Sequence, residues 1–169
     1  MGVENVRAYL KGNGLDYDIL EFDASTETVD LAAQALGVEP ALIAKTLALK
    51  LKDRFVMVVT KGDAKLDNKK IKQHFQSKAR MMSPEEVMEK TGHPVGGVCP
   101  FGLKENMDIF LDESLKQFDT VYPAAGSKHS CIEIAPDDLL KITGAQWVDV
   151  CKSCTVEQPT AAACQGPSF

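Results

Sequence analysis

Two β-forming runs joined by three charged residues constrain this chain more than any other feature. Leu47, Leu49 and Leu51 alternate with Thr46, Ala48 and Lys50, and after Lys52-Asp53-Arg54 the stretch from Phe55 to Thr60 is almost wholly apolar. Alternation at period two predicts a half-buried strand, and a short continuous apolar run predicts a strand covered on both faces. The short charged connection makes the two a hairpin feeding a buried strand.

Around this pair, helices and strands interleave irregularly. Val3, Val6 and Leu10 fall at helical spacing before Gly12 and Gly14, and a strand is expected over 17–22. Ser25 or Thr26 is expected to cap a helix carrying Val29, Leu31, Ala32 and Leu36 up to Gly37, and Pro40 to open one further helical turn. Asp67 caps a basic helix through Phe75, and Ser83-Pro84-Glu85-Glu86 forms a capping box for a helix ending near Gly92. Further strands are expected over 107–111, 120–122, 131–134 and 146–150, with a helix over 136–143. Hairpins within such an order argue for an α+β domain over a doubly wound parallel sheet.

A chain of 169 residues, 44% hydrophobic and 25% charged, suits one domain with a full core, expected to span 1–151. After Val150 the composition shifts to Cys, Ser, Thr, Gln, Pro, Ala and Gly, so 152–169 reads as a mobile tail. Apolar runs such as Phe55 to Val59 are far below the roughly 18 residues that cross a bilayer. Glu4 and Arg7 stand where a signal peptide would have its apolar region, so the expected compartment is the cytoplasm, with no membrane partner.

Five cysteines, an odd number, argue for reduced thiols over a disulfide framework. Cys151 and Cys154 form a lone CxxC. Zinc would need a second ligand pair, whereas Cys99, Cys131 and Cys164 stand singly, so neither metal nor cofactor is expected. A thiol redox role for Cys151 and Cys154 is a minor alternative.

The net charge of −5 conceals an asymmetry. From Lys45 to Arg80 there are eleven basic and three acidic residues, a segment of +8, while the remainder is −13. A basic segment on an otherwise acidic body points to a local anionic partner, a phosphate backbone first among them. Lys65, Lys69, Lys70 and Lys72 are its candidate contacts.

Two loops concentrate glycine outside ordinary turns. The first, 92–102, holds four glycines and two prolines in eleven residues and includes Gly96, Gly97, Val98, Cys99, Pro100 and Phe101. Proline fixes its backbone, and glycine lets N–H groups approach a ligand. The second, 124–130, brings Gly126, Ser127, Lys128 and His129 to the mouth of a strand. His129 is a candidate to orient a water or bond a carbonyl. No GxSxG, Walker, dinucleotide or HExxH pattern is present.

These residues carry a resemblance. The stretch Gly37-Val38-Glu39-Pro40-Ala41-Leu42-Ile43-Ala44-Lys45-Thr46-Leu47 is similar to a segment of the YbaK/ProX family, the aminoacyl-tRNA editing domains also found inserted in bacterial prolyl-tRNA synthetases. Lys61-Gly62-Asp63 resembles that family's step after its central strand. Gly96-Gly97-Val98-Cys99-Pro100 resembles its GxxxP loop, and Gly126-Ser127-Lys128-His129 its glycine-rich strand entry. Four such motifs follow in order over roughly residues 2 to 151.

The resemblance implies a mixed, partly barrel-like sheet surrounded by short helices. It implies a trans-acting deacylase that hydrolyses the ester of a tRNA mischarged with a small amino acid such as alanine, serine, threonine or cysteine. A catalytically silent tRNA- or nucleotide-binding module is the alternative. Lys45 and His129 take the catalytic positions. Thr46, Gly96 to Phe101, Gly126 and Ser127 take the substrate-binding ones. The implied partners are the acceptor end of a mischarged tRNA and an aminoacyl-tRNA synthetase, with the protein a monomer or weak dimer. Water, the substrate's side chain or its 2′-hydroxyl serves as nucleophile.

Overall fold

A computed structural model of the chain describes residues 2–14, 17–26, 28–95, 97–105 and 107–152. In chain order the elements begin with α1 (Gly2–Gly12), β1 (Ile19–Glu21), α2 (Val29–Leu36) and a 3₁₀ turn (Pro40–Leu42). The central part comprises β2 (Ile43–Lys50), β3 (Phe55–Lys61), α3 (Asn68–Phe75), β4 (Arg80–Met81) and α4 (Pro84–Thr91). The remainder is β5 (Asp108–Asp112), a second 3₁₀ turn (Glu113–Gln117), β6 (Tyr122–Pro123), β7 (Ser130–Ile132), α5 (Pro136–Thr143) and β8 (Gln146–Val148).

The fold is α+β, as expected. The main sheet runs β4-β2-β3-β5-β8, with β6 paired to the start of β2. β2 is antiparallel to β3 and β4, whereas β3–β5 and β5–β8 are parallel, so the sheet is mixed. β1 and β7 form a separate antiparallel pair, which bridges at Val121–Ile134 and Ala124–Cys131 connect to the chain around β6. Among the described residues no pairing closes the sheet into a barrel.

The apolar run of β3 is explained by cover on both faces. Val56 and Val58 pack with Leu49, Leu51, Ile71, Phe75 and Phe110 beneath α3. Val59 meets Ala44, Phe101, Leu111 and Ile132 on the other side, where α1 and α5 contribute Val6, Leu10 and Leu139. On β2 the alternation separates the same two faces, with Leu47 and Leu49 toward α3 and Ala44 and Ala48 away from it.

The capping box forms as read: Ser83 Oγ accepts from Glu86 N–H at 3.2 Å, and Glu86 Oε1 accepts from Ser83 N–H at 3.0 Å. The cap of α2 is Thr28, whose hydroxyl accepts from Leu31 N–H, in place of Ser25 or Thr26. The reason is that 22–26 stays extended beside the β7 entry: Phe22 N–H donates to the His129 carbonyl and Thr26 N–H to that of Lys128. Several strands are one to three residues shorter than expected, and β4, a two-residue edge, carries too little pattern to be anticipated. Lys152 N–H donates to the Lys65 carbonyl at 2.8 Å. The rest of the expected tail, 153–169 with Cys154 and Cys164, lies outside the described residues.

Candidate active site

A cavity of about 180 Å³ opens on the Ala44/Ala48 side of β2. It exists because that face carries small side chains: Ala44, Thr46 and Ala48 form its floor. Thr26, Thr28, Val29 and Ala32 line one side, Tyr122, Ala124 and Cys131 another, and Met81, Met82, Val87, Val95 and Val98 the third. Its walls are mostly apolar. The exception is telling, because the buried Thr46 hydroxyl has no hydrogen-bond partner. An unmatched buried hydroxyl costs about 1–3 kcal/mol, a cost that a ligand with polar atoms relieves.

Lys45, the third residue of β2, borders this cavity. Its Nζ donates to the Ala64 carbonyl at 2.6 Å. An ammonium has three N–H donors, so two remain beyond this bond. Burial holds the Lys45 pKa below the usual lysine value, opposed by Cys151 and Asp63 and assisted by Lys65. Lys45 and Thr46 are thus brought together with Val98 around one space.

The two glycine-rich loops meet behind it. Gly126 N–H donates to the Gly97 carbonyl at 3.1 Å, and Gly126 adopts a φ of +94°, which glycine tolerates. A Cβ on Gly97 would stand 2.6 Å from the Ser127 carbonyl carbon. The Gly97 N–H itself is engaged by the Pro94 carbonyl at 2.9 Å. Gly96 lies outside the described residues.

Cys99 and Phe101 are fully buried in the core with Val59 and Leu111 and are not cavity-lining residues. They fasten the loop: His93, also fully buried, donates from Nε2 to the Phe101 carbonyl at 2.7 Å, leaving Nδ1 without a partner. That pairing assigns the proton to Nε2, and burial holds the His93 pKa below its ordinary value against the opposing pull of the carbonyl.

His129 is exposed and is not part of the cavity wall. Its Nδ1 lies 3.1 Å from the Ala24 carbonyl, so Nδ1 carries a proton and donates to it. Ser127 Oγ receives the His129 N–H at 3.1 Å and lies 2.8 Å from Ser130 Oγ, which ties the turn together.

The basic segment is less uniform than its sequence suggests. α3 starts at Asn68, so Lys65 precedes it, and Lys70 is bound to Asp149 Oδ1 and the Cys151 carbonyl, each at 2.9 Å. Lys65, Lys69 and Lys72 are exposed. α3 packs on the Leu47/Leu49 face of the hairpin, opposite the cavity.

Sequence reasoning missed Thr26, Cys131, Met82, Val87 and Val95, which line the cavity. Apart from Val95, which lies within the glycine-rich 92–102 loop, none belongs to a motif, and their signal is tertiary proximity. Burial pushes the Cys131 thiol up to about 11, moderated by the neighbouring Thr26 hydroxyl. Among the described residues, no helix is long and apolar enough to cross a membrane.

Comparison with known proteins agrees with this geometry. The model of the aminoacyl-tRNA editing domain family matches residues 23–142, which contain the whole cavity wall. YwhH of Bacillus subtilis, described as uncharacterized, is 46% identical over 90% of this chain and 98% of its own. EbsC of Enterococcus faecalis, whose name is that of a Cys-tRNA(Pro)/Cys-tRNA(Cys) deacylase, is 29% identical over 86% of this chain and 92% of its own. A crystal structure described as that of a trans-editing enzyme for prolyl tRNA synthetase superposes with a TM-score of 0.84 at 32% identity, covering 90% of this chain and 98% of that one. The chain therefore belongs to the aminoacyl-tRNA editing domain family and is an aminoacyl-tRNA hydrolase.

Proposed function

We propose that the protein acts in trans on tRNA mischarged with a small amino acid, of the class of alanine, serine, threonine or cysteine. The observation that supports this most is the cavity itself: about 180 Å³, apolar, with Lys45 at one side and the unpaired Thr46 hydroxyl in its wall. A small aliphatic or hydroxylated side chain suits such an apolar space with a hydroxyl in its wall.

The aminoacyl ester is already activated, so positioning it and stabilising the charge that develops on its oxygens provide most of the rate. The Lys45 ammonium, anchored to Ala64 by one donor, offers its others to a substrate oxygen. The 97–100 loop and Gly126 with Ser127 shape the rim that receives the aminoacyl end, and His129 acts through the turn it terminates. The cellular partner is the acceptor end of mischarged tRNA, supplied by an aminoacyl-tRNA synthetase, and the reaction is cytoplasmic.

The test is a panel of tRNAs charged with alanine, serine, threonine, cysteine, proline and phenylalanine. Release of free amino acid from one or more of the first four, with the last two intact, is expected. Binding without release would assign the protein to the silent binding modules, and equal release from all six would remove the reading of a preference for small amino acids.

A further inference from the structure

The Lys61-Gly62-Asp63 step takes no part in the cavity wall, yet it is wedged against the strand that carries Lys45. A Cβ at Gly62 would lie 2.1 Å from the Pro40 carbonyl oxygen, 2.8 Å from Val29 Cγ1 and 3.1 Å from the Ile43 carbonyl oxygen. Only glycine lets the turn sit this close to the first residue of β2. The turn closes on itself through Ala64 N–H to the Lys61 carbonyl at 3.1 Å, and the Ala64 carbonyl is then the acceptor for Lys45 Nζ. Beyond it, the Lys65 carbonyl accepts from Lys152 and Asp67 N–H donates to the Val150 carbonyl, each at 2.8 Å, which clamps the far side to the chain after β8.

Asp63 is the unusual member. Its side chain is 8% exposed and its Oδ1 has no hydrogen-bond donor, with Lys61 Nζ 3.4 Å away as an ion pair. A carboxylate buried with so little hydrogen bonding is costly unless it serves a charge nearby. We propose that this turn is the positioning element for Lys45, in which Gly62 sets its distance, the Ala64 carbonyl aims the ammonium and the Asp63 carboxylate supplies the countercharge. The proposal rests on the reading of Lys45 as the cation that meets substrate oxygens.

The groups facing Lys45 are Asp63 and Lys65 from this segment and Cys151 from the chain after β8. Burial, and after it Asp112, pushes the Cys151 thiol well above the usual thiol range, so it is neutral at neutral pH. Lys65 repels. Of the three, Asp63 alone then offers a countercharge to Lys45, one it shares with Lys61, paired to its Oδ1 at 3.4 Å.

The experiment measures kcat/KM for a mischarged tRNA between about pH 6 and 9, with enzyme-free ester hydrolysis subtracted, in wild type, Asp63→Asn, Asp63→Glu and Lys45→Met. Removing the negative charge makes Lys45 lose its proton earlier, so Asp63→Asn is expected to lose activity on the alkaline side at a lower pH than wild type. Asp63→Glu, which keeps the charge, is expected to keep the wild-type limb. Asp63→Ser gives the same reading if the amide variant does not fold. A folded neutral variant whose alkaline limb coincides with wild type, with Lys45→Met inactive, overturns the positioning role alone. A Lys45→Met enzyme at the wild-type rate overturns the reading of Lys45 and this proposal with it.

Discussion

The Gly97 carbonyl accepts a hydrogen bond from Gly126 N–H at 3.1 Å, joining two loops that are 29 residues apart in the chain. Behind that bond the Gly97 α-carbon faces the Ser127 backbone with no room for a side chain. The two loops are therefore held as one unit, and its shape depends on how closely their backbones approach.

Gly97→Ala is expected to force the loops apart, since its Cβ would stand 2.6–2.7 Å from three Ser127 backbone atoms that cannot rotate away. The strain is on the order of 1–3 kcal/mol of stability, with a larger proportional loss of deacylation expected because the loops beside the cavity shift. Urea midpoint and kcat/KM are measured together. A variant with wild-type values in both would show that the loops separate without consequence.

Lys45→Ala is expected to fold and to reduce deacylation on the order of 10²-fold or more, the scale for removing one electrostatic contact to a transition state. Stability responds in the opposite sense. Burial lowers the pKa of Lys45 in the folded state, so between the folded and unfolded values the unfolded chain binds more protons. The contribution of Lys45 to stability therefore rises with pH through that window while activity falls. Subtracting the pH–stability curve of Lys45→Met from that of wild type isolates this sign, and a difference that declines through the window contradicts it.

Lys69 and Lys72 are exposed on α3 and three residues apart, hence on one face, whereas Lys70 is occupied by Asp149 and Cys151. α3 lies across the hairpin from the cavity, so any phosphates it meets lie away from the aminoacyl end. If both lysines contact RNA, Lys69→Glu with Lys72→Glu lowers the slope of log affinity against log salt by about 1.4 to 1.8. Coincident slopes for the double variant and wild type would make this a solvated face.

Much of the architecture was legible because its causes are local. Alternation and apolar continuity specify the β2–β3 hairpin. Ser83 with Glu86 and Pro84 specifies the start of α4, and Gly92 and Gly144, both at positive φ, end α4 and α5. These signals act within a few residues of themselves, where propensity and capping need no distant partner. Thr28 displaced Ser25 and Thr26 as a cap because the extended pairing of 22–26 with the β7 entry is a long-range contact that outweighs a local preference.

The candidate site divides along the same line. Lys45, Thr46 and Val98 were identifiable from motifs, but Thr26, Cys131, Met82, Val87 and Val95 are chemically ordinary residues made into a cavity wall by packing alone. Cys99 and Phe101, which sit in a motif, face the core instead, because a loop folded over a hydrophobic interior must bury some of its own side chains. The sequence by itself determined which residue types and which backbone freedoms were available. Tertiary structure decided which of them share a surface, since that depends on strand register, on the 2.6 Å bond between Lys45 and Ala64, and on the approach of Gly97 to Ser127. None of these distances is encoded by any short segment.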